Sequence, residues 1–390
     1  MKNNRTFLEK LLDGAEVEWK SLGKVTDIKT GQSVSKNIIA QNSGIYPVIN
    51  SGREPLGFIN EWNTENDPIG ITTRGAGVGS ITWQEGKYFR GNLNYSVTIK
   101  SEYELNVRFL YHVLLHFQKE IHNLCSFTGI PALNASELKK LEIPIPPLSV
   151  QTEIVKILDA LTALTSELTS ELILRQKQYE YYREKLLSEE ELGKVGFEWK
   201  TIDEISKKIS SGGTPTTSNN GYYDNGTIPW LRTQEVDFKE IWDTNIKITE
   251  DALNNSSAKW IPANCVIVAM YGATVGKTAI NKIPLTTNQA CANIEINDKL
   301  ACYRYIFHYL TSKYEYIKSL GSGSQTNINA QIIKKLKVPV PPIEEQYRIV
   351  SILDKFETLT NSITEGLPLA IEQSQKRYEY YRELLLNFKQ

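Results

Sequence analysis

Two glycine-rich strings and one histidine-bearing segment are where this sequence comes nearest to familiar chemistry. Gly75-Ala76-Gly77-Val78-Gly79-Ser80 has the composition of a phosphate loop. It does not complete G-x-G-x-x-G, however, and it runs into the strand-like Ser80-Ile81-Thr82-Trp83, so no helix N-terminus follows to meet a phosphate. Gly272-Ala273-Thr274-Val275-Gly276-Lys277-Thr278 ends as a P-loop does, but Tyr271 stands where the first glycine of G-x-x-x-x-G-K-T belongs. Both strings read as tight turns between strands. His112 and His116 lie four apart on a predicted helix, with His122 beyond, yet the glutamate of H-E-x-x-H is missing. At a repeat offset of 195 the second half of the chain places Phe307 and Thr311 there, so these histidines are expected to be structural or exposed and no metal site is expected. The chain also lacks the N-P-P-Y or D-P-P-Y tetrapeptide with which an amino-methyltransferase grips its base. It reads as non-enzymatic, with no catalytic residues.

What the sequence does offer is a set of side chains suited to reading the edges of base pairs. Arginine pairs with guanine, asparagine or glutamine pairs with adenine, and neighbouring glycines let the backbone come close. The candidates are Gln32, Thr73 and Arg74 in the first half, with Thr214, Arg232, Gln234, Tyr271, Lys277, Asn288, Ser324 and Gln325 in the second.

The elements that must position them are written twice. Gln151 to Thr165 matches Gln346 to Thr360 at 8 of 15 positions, and Gln176 to Leu187 matches Gln375 to Leu386 at 10 of 12. The offset is 195 in the first match and 199 in the second. Upstream, Leu138 to Pro147 (LKKLEIPIPP) corresponds to Ile333 to Pro342 (IKKLKVPVPP), and Glu18-Trp19-Lys20 to Glu198-Trp199-Lys200. Four segments follow from this: globular domains at 1–148 and 190–343, and near-constant segments at 149–189 and 344–390. The globular parts alternate short apolar runs with turns, namely Tyr46–Ile49, Ile69–Thr72, Ser80–Trp83 and Tyr95–Ile99, then Ile228–Arg232, Cys265–Met270 and Ala292–Ile296. Helices are expected over Val107–Leu124, Ser136–Leu141 and Tyr303–Lys318. Each domain is thus an α+β unit with a mostly β core.

The constant segments follow Pro146-Pro147 and Pro341-Pro342 and carry apolar residues at spacings of three and four. Leu161, Leu164, Leu168, Leu172, Tyr179 and Tyr182 form the later part of one stripe, and Phe356, Leu359, Ile363, Tyr378 and Tyr381 the later part of the other. The simplest burial for both is an antiparallel, coiled-coil-like pair of long helices, each about 57 Å long at 1.5 Å per residue. The four-residue change of offset reads as an added helical turn in the second copy. Gly366 and Pro368 fall in that helix, where a proline costs about 3 kcal/mol, so a kink or break is expected there.

Composition narrows the classes. The 390 residues, 41% hydrophobic, allow two ordinary domains, and no apolar run is long enough for a membrane span or a secretory signal. A cytoplasmic protein is expected. Cys125, Cys265, Cys291 and Cys302 contain no C-x-x-C pair and read as free, mostly buried thiols. A formal net charge of −1 means that any DNA contact must come from a local basic face or from partners.

Taken together, these features resemble the specificity subunits of Type I restriction-modification systems. The resemblance is carried by the Leu-Lys-Lys-Leu (Ile-Lys-Lys-Leu in the second copy) and Pro-x-Pro-Pro lead-in, the Gln and Ile-Val-x-Ile-Leu-Asp of the helix start, and Tyr-Glu-Tyr-Tyr-Arg-Glu at the helix end, each element present twice. Tyr46-Pro47-Val48, Arg74 to Gly79, Ile228 to Arg232 and Thr287-Asn288-Gln289-Ala290 add to it. It implies two target-recognition domains, each reading half of a bipartite DNA sequence, and a helical spacer that sets the gap and docks two methyltransferase (modification) subunits. Motor-nuclease (restriction) subunits complete such a complex, and S-adenosylmethionine, ATP and Mg are expected on the partners and not on this chain. A specificity subunit of a methylation-only system, and a tandem-repeat protein scaffold, are the alternative readings.

Overall fold

The computed structural model describes residues 6–52, 54–321 and 327–389. The chain forms two compact units, each assembled from separated stretches: Met1–Thr169 with Ala370–Gln390, and Ser170–Leu369. The boundaries fall inside two helices, Leu148–Leu186 and Gly366–Leu386. Each unit therefore owns the start of one long helical segment and the end of the other.

In the first unit, one antiparallel sheet has the order Thr26–Thr30, Asn94–Ile99, Ile69–Thr72, Ile81–Trp83. A second runs Phe58–Ile59, Ser43–Ile49, Lys87–Arg90, Thr64–Glu65, with Ser43–Ile49 parallel to Lys87–Arg90. The second unit repeats the plan. A five-stranded sheet runs Ser206–Ser211, Cys291–Ile296, Val266–Ala269, Thr278–Asn281, Lys239–Ile241, and a four-stranded sheet runs Lys247–Ile248, Ile228–Leu231, Leu285–Thr287, Trp260–Ile261. Strands rich in Val and Ile, such as Val266–Ala269, are buried along their whole length. The expected helices form but are shorter: Val107–His116 and Gln118–Asn123 replace one span, Tyr303–Ser312 and Tyr314–Ser319 another, and Ala135–Leu138 stands where Ser136–Leu141 is predicted.

The doubled lead-in has a clear structural reason. Glu18–Ser21 pairs with Glu142–Ile145, and Glu198–Thr201 pairs with Lys337–Val340, in the same register, with Trp19 opposite Pro144 and Trp199 opposite Pro339. A two-stranded ribbon is one of the few sheet settings that tolerates proline, because each strand has a free edge. The ribbon ties the start of each globular domain to the approach to its helix.

The first helix is continuous over 39 residues, from Leu148 to Leu186. The second is not: Ile343–Asn361 ends, residues 362–365 are non-helical, and Gly366–Leu386 begins. The four residues that change the repeat offset are thus the break itself, and not an added helical turn. Pro368 falls in the first turn of the new helix, where a missing N–H costs nothing. Gly366 has φ +83, and a Cβ there would lie 2.6 Å from the Thr358 carbonyl oxygen, so only glycine makes this return. Ile363 falls in the break and is 79% exposed, so it is not part of a helix seam as its spacing suggested.

Candidate nucleic-acid interface

In each unit, backbone hydrogen bonds gather several turns into one loop cluster. In the first, Gln32 N–H donates to the Arg90 carbonyl at 2.9 Å, Thr73 N–H to Leu93 at 2.9 Å, and Gly75 N–H to Pro131 at 3.1 Å. The 31–32, 73–75, 90–93 and 131–133 segments are therefore neighbours. In the second, Gly213 N–H donates to Thr287, Asn288 N–H to Leu231, Met270 N–H to Ala290, and Thr274 Oγ1 to the Thr233 carbonyl at 2.7 Å. A Cβ on Gly212 would sit 1.8 Å from the Thr287 carbonyl oxygen, which is why glycine occupies that crossing. The two glycine-rich strings are turns, with Gly75, Gly79, Gly272 and Gly276 all at positive φ.

Within these clusters the candidate side chains separate by environment. Gln32, Arg74, Thr214, Gln234 and Tyr271 are exposed, and Thr214 Oγ1 bonds Gln289 Oε1. Thr73 is buried and serves the backbone network. Lys277 Nζ pairs with Asp237 at 2.6 Å, Arg232 Nε lies 3.7 Å from Glu235, and Asn288 Oδ1 accepts from the Cys291 thiol at 3.2 Å. Ser324 and Gln325 lie outside the described residues. Sequence reasoning missed Phe127 and Ile130, which are 55% and 75% exposed on the loop leading to Ala132, itself bridged to Arg74. The only signal for them was two large apolar residues beside Gly129 in a polar turn.

Behind each cluster, the repeated helix-start motif fastens the globular domain. Gln151, fully buried, accepts from Asn106 N–H at 2.8 Å and donates to Pro146 and Glu104 carbonyls. Its counterpart Gln346 accepts from Cys302 N–H at 2.8 Å and donates to Pro341. Asp159 Oδ1 receives both Arg108 Nε and His112 Nε2 at 2.8 Å, and Asp354 meets Arg304 Nε at 2.7 Å and His308 Nε2 at 2.8 Å. The helix repeats at an offset of 196 and not 195, so His112 corresponds to His308 and not to Phe307, and His116 to Ser312 and not to Thr311. The histidine is a duplicated structural element.

Because a carboxylate only accepts, His112 Nε2 carries the proton, and Nδ1 is free to accept from the Tyr378 hydroxyl at 3.2 Å. Burial holds the His112 pKa below the ordinary histidine value, against the upward pull of Asp159. In the second unit, Arg304 joins Glu240, Asp354 and Glu357. Burial pushes the Glu357 carboxyl up, whereas Asp354 stays low because its bonds to His308 and Arg304 outweigh burial. His308, Asp354 and Glu357 hold potential ligand atoms within 4.8 Å of one another, but the guanidinium already occupies the place a cation would take.

The helix pairing is antiparallel within each unit. Asp159 and Tyr378 both meet His112, and six residues on, Thr165 Oγ1 bonds Ser374 Oγ at 2.8 Å. In the other unit, Tyr182 stacks on Phe356 with centroids 5.6 Å apart, and Tyr179 lies 6.4 Å from the same ring. Leu161, Leu168, Leu172 and Leu359 are half-buried, while Leu164, Tyr182 and Tyr381 are 39%, 40% and 38% exposed. The four cysteines are free, and burial pushes the Cys265 thiol up to about 12. No helix among the described residues is long and apolar enough to cross a membrane.

A family model described as the Type I restriction modification DNA specificity domain matches the chain twice, over residues 15–175 and 194–373. The chain belongs to that family. A putative type I restriction enzyme specificity subunit of Haemophilus influenzae is 41% identical over the full length of both chains. The EcoR124I/EcoR124II specificity subunit of Escherichia coli is 37% identical, covering 98% of this chain and 97% of that one. The fold matches the crystal structure of a Type I restriction-modification S subunit from M. genitalium at a TM-score of 0.63 and 18% identity, over 97% of this chain and 98% of that chain. The chain is accordingly a non-catalytic specificity subunit with two target-recognition domains, and its partners are DNA and the other subunits of a restriction-modification complex.

Proposed function

We propose that each loop cluster reads one half of a bipartite DNA target, with Gln32 and Arg74 in the first unit and Thr214, Gln234 and Tyr271 in the second as the exposed readers. The observation that carries this reading is that two units of one plan gather exposed polar side chains of different identity on equivalent turns, as two different half-sites require. Phe127 and Ile130 beside Arg74 suit contact with thymine methyls or an opened base step.

The helical segments set the distance between the half-sites and dock two modification subunits, and motor-nuclease subunits join that assembly. S-adenosylmethionine, ATP and Mg belong to those partners, and the complex works in the cytoplasm. The test is sequencing of methylated bases in DNA from cells expressing this chain with its modification partner, against the partner alone. A new motif of two specified blocks around a fixed gap is the expected result. Arg74→Ala should relax or abolish recognition of one block and leave the other intact. Loss of both blocks equally would show that Arg74 contributes only general DNA affinity.

A further inference from the structure

The second unit carries an open groove of about 920 Å³ whose floor includes Leu310, Ile317 and Leu336 and whose rim is formed by Trp199, Tyr316, Lys313, Lys335 and Lys337. The first unit provides an internal reference for every part of it. The shared ribbon register places Lys337 where the first unit has Glu142. The helix repeat places Ile332 where it has Glu137, and Tyr316 where it has Glu120. In the first unit, Lys140 is neutralised by Glu137 at 2.8 Å. Its counterpart Lys335 faces an isoleucine in place of that glutamate, and among the described residues Lys313, Lys335 and Lys337 form no ion pair. At the positions equivalent to the groove lining the first unit thus has the acids Glu120, Glu137 and Glu142 with Lys140, whereas the lining of the second has three lysines and the single acid Glu189.

The tryptophans differ in the same sense. Trp19 is half-buried, its indole N–H donates to the Lys389 carbonyl at 3.3 Å, and its ring lies edge-on to Phe117. Trp199 is 44% exposed, and among the described residues its indole N–H has no acceptor. The first unit therefore shows one thing this surface accepts: a peptide carbonyl, that of Lys389, seated on the indole N–H. The second presents the same donor uncovered, with apolar ground below and positive charge around it.

We propose that this groove docks an acidic, apolar-anchored peptide segment of another protein of the restriction-modification complex, and that the first unit has no equivalent dock. The choice of that complex as the source rests on the functional reading above. Charge complementarity selects an acidic segment, and the apolar floor selects a peptide over a phosphate backbone.

The experiment uses the complete complex purified with its modification and motor-nuclease partners. With Tyr316→p-benzoylphenylalanine, irradiation should attach the groove to an Asp/Glu-rich partner peptide bearing Leu, Phe or Trp. Glu120→p-benzoylphenylalanine should not capture that peptide. Lys335→Glu with Lys337→Glu, both at exposed positions, should weaken binding of the captured partner by about tenfold or more. Adducts only on DNA, adducts on a second copy, or no adduct from a complex that still methylates a bipartite motif would each overturn the proposal. Failure of the unmodified complex to produce a bipartite motif would instead overturn the functional reading.

Discussion

Replacing Asp159 with alanine tests whether the duplicated histidine–carboxylate contact holds a recognition domain on its helix. His112 is 1% exposed, so losing its acceptor strands a buried N–H at about 1–3 kcal/mol. Arg108 also loses its ion pair, but its side chain reaches solvent and stacks over Trp83 at 4.4 Å, so that part is about 0.2–1 kcal/mol. Asp159→Ala should therefore cost about 2–3 kcal/mol. His112→Phe fills the same space and leaves behind only a carboxylate that reaches water and the Tyr378 hydroxyl, so it should cost about 1 kcal/mol. The double variant should be no worse than Asp159→Ala alone, because the stranded donor is gone. Hydrogen exchange of the Val107–His116 helix reads these free energies, with Tyr303–Ser312 as the internal reference. Equal costs for the two single variants, or strict additivity in the double, would show that packing and not this hydrogen bond fastens the domain.

Burial lowers the pKa of both His112 and His116, so the unfolded chain takes up protons near pH 6.5 that the folded first unit resists. The stability of that unit should be complete above about pH 6.5 and decline as the pH falls, approaching about 1.4 kcal/mol per pH unit per histidine, and His112→Phe should flatten the decline in a thermal-unfolding series. Removing Thr169 to Leu172 shortens the continuous helix by about 6 Å, so the methylated motif should lose one or two base pairs from its gap, and an unchanged gap would remove the spacer role. Gly212→Ala places a Cβ 1.8 Å from the Thr287 oxygen and should destabilise the second unit by about 2–4 kcal/mol or lower its soluble yield, whereas Gly272→Ala meets no neighbour and costs only its positive φ, about 1 kcal/mol.

The frame was legible because it is written twice in local patterns. Strands such as Ile69–Thr72 and Val266–Ala269 are apolar runs bounded by turns, and the proline-rich lead-ins recur with their tryptophan-bearing partners. What escaped was anything that depends on a one-residue shift. A fixed offset of 195 aligned His112 with Phe307, and only the contacts to Asp159 and Asp354 reveal that His308 is its true counterpart. The buried Arg90 escaped for a related reason. Its Nη1 donates to Ile69 and Tyr95 carbonyls and to Asn94, and Nη2 donates to the Asp67 carbonyl, a network of distant segments that no spacing rule announces. The exposed candidates were legible only as residue types on turns, because side-chain exposure separates Arg74 from its buried neighbour Thr73.

Comparing the two copies residue by residue separates what the frame requires from what one unit has made its own. Gln151 and Gln346, Asp159 and Asp354, and Arg108 and Arg304 keep both identity and contact. Fastening a domain to a helix is the same mechanical problem in both units, so the same groups solve it. At Glu142 and Lys337 the backbone register is kept but the charge is reversed, and at Glu137 and Ile332 a charge that pairs with a lysine is replaced by an apolar group. A solvated surface with no partner gains nothing from such coordinated change, since isolated exposed ion pairs contribute about 0–1 kcal/mol. A paired reversal and loss around one exposed tryptophan is what selection for an occupant on one side would leave. The pseudo-symmetry of the chain would then be broken in two separate ways: at the turns, to read two different half-sites, and at Trp199, to engage a partner on one unit only.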